Sequence, residues 1–473
     1  MLLPEIPYLP GIYTILGILA LGVLISTILD RENYRWLISV LGELILLVTL
    51  AYVIDLPAYN ESYIAFDEFS RFMTFVFIIS SMLIIMALHH ELRDVPRYGL
   101  AVSLILAANI GMIMAAASLN LVYIVVGWEL AGVSSYAVVA VRRRDPLAIE
   151  AAMKFFIVGS IGFGLSLFGI SFIFGAVGTF SLPDIAGKLA NSKYEYNLLY
   201  TGLVLLISGL GFKMAIVPFH VWIPDTYDGA PNSIASFLAA ASKSMAFAVG
   251  LRIFYHGLYP VSDIWSPLFA VLAIITMTYA NLAALAQTKM KRLLAWSSIA
   301  HAGYIILLFG AYGLSQRLIA GGLFHIFMHA IMKILAFVAA SYITVVIGSD
   351  LLNDYAGIGR TQKIVSFFLT VDLLAMAGIP PLGGFWSKYL LFLGVVETGY
   401  VWLALIAVIN SAISLYYYAR IIKLMYFDVG KGSEATVAGP RIYLVPVILS
   451  GLLIIAVGIY PDPLINYLLK ISP

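Results

Sequence analysis

The chain has 473 residues, of which 62% are apolar and 11% charged, with a formal net charge of +2. Soluble domains carry roughly 45–50% apolar and about 25% charged residues, so a soluble globular enzyme, a disordered regulator and a nucleic-acid binder are excluded. With Cys 0 there are no disulfides, no thiolate-bound iron–sulfur clusters and no Cys-ligated zinc, and what remains is a polytopic membrane protein whose bulk lies in lipid.

No signal-peptide pattern with a cleavage site precedes the first apolar run, so the mature chain is expected to start at or near Met1. The runs are continuous, as in LGILALGVLISTIL from Leu16 to Leu29. Continuous runs of about 20 residues predict membrane-crossing helices, whereas a barrel would alternate. Fourteen helices are read in chain order, centred near residues 20, 45, 79, 107, 130, 165, 208, 243, 275, 302, 332, 378, 411 and 454. The longest loops, around 178–197 and 427–442, are too short to fold alone. The predicted fold class is an all-α polytopic membrane protein.

Lys and Arg in short loops set orientation. Loops after odd-numbered helices hold Arg31, Arg35, Arg93, Arg97, Arg142, Arg143, Arg144, Lys289, Lys291, Arg292, Arg360, Lys363, Lys423, Lys431 and Arg441. Loops after even-numbered helices hold only Lys188, Lys193 and Arg317. Odd loops are therefore expected in the cytoplasm and both termini outside, in the cell membrane of a prokaryote or an equivalent energy-converting membrane.

A charge at the bilayer centre costs at least about 2.5–3.5 kcal/mol, so each one needs a partner or a job. Glu129 sits in LVYIVVGWELAGVSSY, Lys213 in LISGLGFKMAIVPF, Lys243 in SFLAAASKSMAFAVG, Lys333 in FHIFMHAIMKILAFV and Lys388 in GIPPLGGFWSKYLLF. Four lysines and one glutamate on five spans favour an ion pathway. His325, His329 and Lys333 fall at i, i+4 and i+8, along one helical stripe. His301 lies on the preceding span and His220 after Lys213. Stacked with a lysine, the histidines read as a proton relay. No carboxylate joins that stripe, which argues against a metal site, and nothing supports a haem or other cofactor in this chain.

Two spans are broken. Pro218, Pro224 and Pro231 interrupt the backbone ladder after Lys213, and Pro380, Pro381, Gly383 and Gly384 do so just before Lys388. Unwound backbone at membrane depth survives only beside protein or a water-filled cavity. Breaks five helices apart, each next to a lysine, predict two inverted five-helix repeats. The expected units are 1–95 for helices 1–3, 96–258 for helices 4–8, 259–428 for helices 9–13 and 429–473 for helix 14.

GWELAGVSSY, GFKMAIVPFHVWIPDTYDGAP, HAIMKILAF and AGIPPLGGFWSK resemble the signatures of the antiporter-like proton-translocating membrane subunits. That family spans respiratory complex I, membrane-bound hydrogenases and Mrp-type sodium/proton antiporters, and the resemblance runs from helix 4 to helix 13. It implies fourteen helices with two inverted repeats. It implies that Glu129 and Lys213 form a switching pair, that Lys243 is central, that His325, His329 and Lys333 relay, and that Lys388 lies on the exit side. Lysine at 388 looks more like the D-type antiporter and hydrogenase subunits than the complex I subunit with Glu there, and the chain stops soon after helix 14, unlike the largest subunit type.

Asp372 on helix 12 and Glu43 on helix 2 are additional acidic groups outside that pattern. Asp372 has three readings: a lysine partner, a sodium ligand or a residue near a helix end. Lys154 reads as a topology determinant close enough to the membrane to join the charged cluster. No phosphate-binding loop, cluster ligand or dinucleotide fingerprint is present, so any driving reaction belongs to partner subunits. The expected partners are further antiporter-like subunits, a redox arm and the lipid bilayer, with no nucleic acid. Three functions remain open at this point: a pumping subunit of a redox-driven complex, a subunit of a secondary sodium/proton antiporter, or a non-conducting structural subunit.

Overall fold

The computed structural model describes residues 11–61, 63–191, 194–313, 315–435 and 437–471, so Lys193, used above for orientation, lies outside the described residues. In lipid a backbone has to satisfy its own polar groups, and the apolar runs do so as helices. Among the described residues thirteen helices are long and apolar enough to cross a membrane. A fourteenth span is divided into two half-helices, Lys363–Ala377 and Gly383–Glu397. Strands are confined, among the described residues, to a two-stranded hairpin, Tyr59–Glu61 with Ile64–Phe66, ahead of the third span. The loop at 178–197 holds a short helix, Leu182–Ala190, whose apolar side is buried.

The two breaks fall where proline and glycine placed them. The first half of the seventh span, Tyr196–Met214, ends one residue after Lys213, with Ala215 left-handed at φ 70°. The chain resumes as the short helix Ile223–Gly229. In the twelfth span Lys363–Ala377 stops at Gly378, left-handed at φ 89°, and Lys388 sits within the second half.

The repeat is visible in details that the apolar pattern could not carry. The sixth span, Pro146–Val177, and the eleventh, Gln316–Ile347, each have 32 residues and end on a left-handed glycine, Gly178 or Gly348. Just before the fifth span Asn120 bridges to Ser181 beyond the sixth, and just before the tenth span Lys289 bridges to Leu351 beyond the eleventh. Leu121 N–H donates to the Phe180 carbonyl and Met290 N–H to the Asp350 carbonyl, both at 2.9 Å. The fifth and sixth spans and the tenth and eleventh thus share the same connection and the same helix length.

The eighth span, Asn232–Gly257, is wholly buried, and the tenth and eleventh nearly so. The eighth departs from α geometry over Leu238–Ser242, immediately before Lys243, and again over Arg252–Gly257, both of which are π-helical. Such bulges shift the side chains that follow them around the helix axis. The sixth and seventh spans meet backbone to backbone. A Cβ added at Gly169 would lie 2.7 Å from the Gly202 carbonyl oxygen, and one at Gly209 would clash with Gly162 O and Ser166 Oγ. Small residues in this seam give close van der Waals contact where lipid supplies no hydrophobic drive.

Loops that join odd to even spans gather on one face. Arg35 donates to the carbonyls of Leu92 and Arg93, and Arg142 to that of Glu91 at 2.9 Å. On that face Arg292 and Lys154 both pair with Asp225, at 3.0 and 2.8 Å, and Lys289 pairs with Asp228 at 3.1 Å. On the opposite face the fully buried Arg252 holds Asp67 through two hydrogen bonds, 2.6 and 2.8 Å, and donates to the Ala116 carbonyl.

Candidate functional site

In the first half, Lys213 is buried in the last turn of its half-helix, and its Nζ makes no hydrogen bond to protein. The ammonium stands 5.9 Å from the ring centres of both Tyr136 and Phe155, within cation–π range. Phe155 is in turn stacked on Trp222 at 4.4 Å, so the break itself builds the aromatic wall of this chamber. Glu129 lies on the fifth span with one buried carboxylate oxygen unpartnered, and it is the acidic group acting electrostatically on Lys213. No ion pair within 4.0 Å closes between them. A loose pair of this kind can tighten or part without breaking other contacts. At 4 Å and an effective dielectric near 20, closure would contribute about 4 kcal/mol.

At the centre, Lys243 donates to Ser298 twice, 2.6 Å to Oγ and 3.0 Å to the carbonyl. Ser298 Oγ is also 3.3 Å from His329 Nε2. His329 packs against His301 at 5.5 Å between ring centres, and His301 Nδ1 is 3.1 Å from His325 Nε2 with the rings stacked. The other nitrogen of His325 lies 2.9 Å from Ser387 Oγ, on the residue next to Lys388. A buried series therefore runs from Lys243 through Ser298, His329, His301 and His325 to the second broken span. Tyr227, on the short helix of the first break, brings a buried hydroxyl toward Ser298 from the Lys213 side.

In the second half, Lys388 Nζ donates to the carbonyls of Met376 (2.7 Å) and Ala377 (3.4 Å) and to Ser411 Oγ (2.9 Å), and stands 5.0 Å from the Tyr304 ring centre. Those carbonyls are the free C-terminal end of a half-helix, where the helix dipole favours a cation. Lys333 donates to Ser297 Oγ (2.5 Å), the Leu294 carbonyl (3.4 Å) and Met376 Sδ (3.4 Å). Asp372 is fully buried and neither carboxylate oxygen has a hydrogen-bond partner. Its proximity to Gly378 in sequence therefore places it at a helix end inside the protein, not at the membrane surface.

The other flagged residues lie apart from this series. Glu43 has both oxygens unpartnered on the second span, where the neighbouring polar group is the Tyr98 hydroxyl. His220 sits in the first break between the rings of Tyr279 and Trp296. Lys154 is exposed and bound to Glu150 and Asp225, both at 2.8 Å, so it belongs to the ionic network of the basic face. Sequence reasoning did not single out Ser297, Ser298, Ser387 and Ser411. The available signal was their spacing: Ser297 lies four residues before His301, and Ser387 adjoins Lys388. A further cluster, Asn281 with Tyr304, Asn410 and Tyr417, widens the polar zone across spans nine, ten and thirteen. Among the described residues no group of His, Cys, Asp and Glu is arranged to hold a metal ion.

Residues 118–414 match a family model described as NADH:quinone oxidoreductase/Mrp antiporter, TM. The chain is 35% identical to F(420)H(2) dehydrogenase subunit N of Methanosarcina mazei, with 98% of this chain and 97% of that protein covered. Its fold is similar to a chain of the respiratory complex I of Thermus thermophilus, at TM-score 0.80 and 29% identity over 96% of this chain and 98% of the other. It is also similar to a chain of the membrane-bound sulfane sulfur reductase, an archaeal respiratory membrane complex, at TM-score 0.85 and 26% identity over 97% and 96%.

Proposed function

We propose, for a chain that belongs to the membrane-subunit family shared by NADH:quinone oxidoreductases and Mrp antiporters, that it translocates protons as one subunit of a redox-driven complex of the complex I type. The observation that carries this reading is the buried series from Lys243 through Ser298, His329, His301 and His325 to Ser387, with Lys388 beside it. A structural polar network has no need to put lysines at both ends of a histidine series in mid-bilayer, where each buried charge is costly.

Glu129 and Lys213 are the switch. When the carboxylate closes on the ammonium, Lys213 keeps its proton; when it withdraws, the proton passes toward Lys243 past Tyr227. From Lys243 the proton crosses Ser298 to His329, His301 and His325, with Lys333 alongside, and reaches Lys388. Moving one charge against 100 mV takes about 2.3 kcal/mol. With no phosphate loop, thiolate or dinucleotide fingerprint in the chain, that energy enters from neighbouring subunits. The two conducting units are residues 96–258 and 259–428. The face carrying Arg35, Arg142, Lys289 and Arg292 is cytoplasmic and both termini lie outside, in line with the bias of basic residues.

The test is proton uptake by proteoliposomes containing the purified complex with Lys243→Ala. Loss of uptake with the complex still assembled is expected; uptake at the parental rate overturns the reading. Co-purification of iron–sulfur subunits, instead of small membrane subunits alone, checks the redox partner.

A further inference from the structure

Asp372 takes no part in the path just described, and its surroundings are unusual. It is fully buried, neither oxygen has a hydrogen-bond partner, and it lies on the first half of the broken twelfth span. An isolated carboxylate in such a place is strongly disfavoured unless it is protonated or balanced by a cation. One turn along the same helix, Met376 receives Lys333 Nζ on its sulfur at 3.4 Å and Lys388 Nζ on its carbonyl at 2.7 Å. Positions i and i+4 share a helix face, so Asp372 lies next to the residue on which both lysines converge. The remaining contacts of Lys333, Ser297 Oγ and the Leu294 carbonyl, are neutral. Lys333 and Asp372 act on each other electrostatically, and no ion pair within 4.0 Å is closed between them. This arrangement mirrors that of Lys213 and Glu129 with the roles exchanged: here the carboxylate sits near the end of a half-helix and the buried lysine on a continuous span, again with no closed ion pair.

We infer that Asp372 is the proton-accepting counter-charge of Lys333, so that the second half of the chain carries its own carboxylate–lysine switch. The inference rests on the lysine-series reading given above. In the resting pair Lys333 is an ammonium and Asp372 a carboxylate. A proton arriving from the histidines forms the carboxylic acid at Asp372, which leaves the Lys333 ammonium unbalanced beside that of Lys388. Lys388 then gives its proton to the exit side. The Asp372 carboxylic acid passes its own proton to the Lys388 amine, and the pair returns to its starting form, with one proton in and one out.

The experiment uses the intact complex in proteoliposomes, with proton uptake measured per redox turnover. Asp372→Asn preserves shape and removes the proton site, and is expected to slow uptake on the order of a hundredfold, the typical contribution of a placed acid–base group. Asp372→Glu is expected to restore uptake, which a packing role would not predict. The double variant Asp372→Asn with Lys333→Gln is expected to be no slower than either single variant, since paired residues are non-additive. Parental uptake in Asp372→Asn, alongside lost uptake in Lys243→Ala, overturns this inference and leaves the lysine-series reading standing; parental uptake in Lys243→Ala sinks that reading instead. Should Asp372→Asn fail to assemble, the neutral double variant decides: recovered assembly supports the pair, and continued failure refutes it.

Discussion

Ser298 offers the sharpest test of continuity, because a single oxygen atom joins the central lysine to the histidines. Its Oγ is 2.6 Å from Lys243 Nζ and 3.3 Å from His329 Nε2, and the residue is fully buried. Ser298→Ala deletes that oxygen and leaves Lys243 only the Ser298 carbonyl at 3.0 Å, an acceptor that cannot pass a proton on. A hydrogen bond to a charged group is worth about 1.5–3 kcal/mol. Since about 1.4 kcal/mol is a factor of ten in rate, the transfer step slows by roughly ten- to a hundredfold. The assay is dye-reported acidification of proteoliposomes driven by the complex, normalised to assembled protein, with Ser298→Thr as the variant that keeps the oxygen. Slow pumping in the alanine variant with near-parental pumping in the threonine variant is expected. Equal pumping in Ser298→Ala and the parent would refute the idea that protons leave Lys243 by this atom.

In the first half, Glu129→Gln keeps the shape of the carboxylate and abolishes its charge, and Lys213→Ala removes its partner; each is expected to cut pumping about tenfold or more while the complex still assembles, as judged by native gel. On the opposite face, Asp67→Ala leaves the Arg252 guanidinium buried without a counter-charge and is expected to cost about 3–5 kcal/mol, seen as a lower Tm in detergent. In the native protein, the Arg252 guanidinium outweighs partial burial and holds the Asp67 carboxyl below its usual range, so this contribution is present above the unfolded value and is lost as pH falls. Asp350, in the loop after the eleventh span, behaves oppositely: burial pushes its carboxyl from 3.8 up to about 6. Its folded form binds the proton more tightly, so its share of stability is complete below pH 3.8 and is lost as pH rises through 6. Asp350→Asn is therefore expected to flatten the dependence of Tm on pH across that window, and an unchanged slope would contradict the assignment.

Charged residues stand out in apolar runs because lipid makes them expensive, and Lys213, Lys243, Lys333 and Lys388 were legible for that reason. The two breaks were legible too, since proline and glycine act on the backbone locally. Linear reasoning passed over the serines that connect them, for which spacing to His301 and Lys388 was the available cue. Ser297 Oγ donates to its own helix at Leu294 (2.9 Å) while accepting from Lys333, and only the first of those bonds is encoded nearby in the chain. Asp372 stayed open between three readings for a related reason: nearness to a helix terminus usually means nearness to water, but this terminus lies inside the molecule. Lys154 shows the reverse, since its partner Asp225 lies 71 residues away on a segment whose position depends on the break.

The glycine seam between the sixth and seventh spans seats the half-helix that carries Lys213. With Gly169 against Gly202 and Gly209 against Gly162, the half-helix bearing Lys213 is seated backbone to backbone on the sixth span. Its cation projects from a closely seated helix, opposite a glutamate that no ion pair within 4.0 Å holds. Rotation of exposed side chains takes picoseconds to nanoseconds, whereas collective helix displacement takes microseconds to milliseconds. Any change in the distance between Glu129 and Lys213 therefore falls first to their side chains, which no ion pair within 4.0 Å holds together.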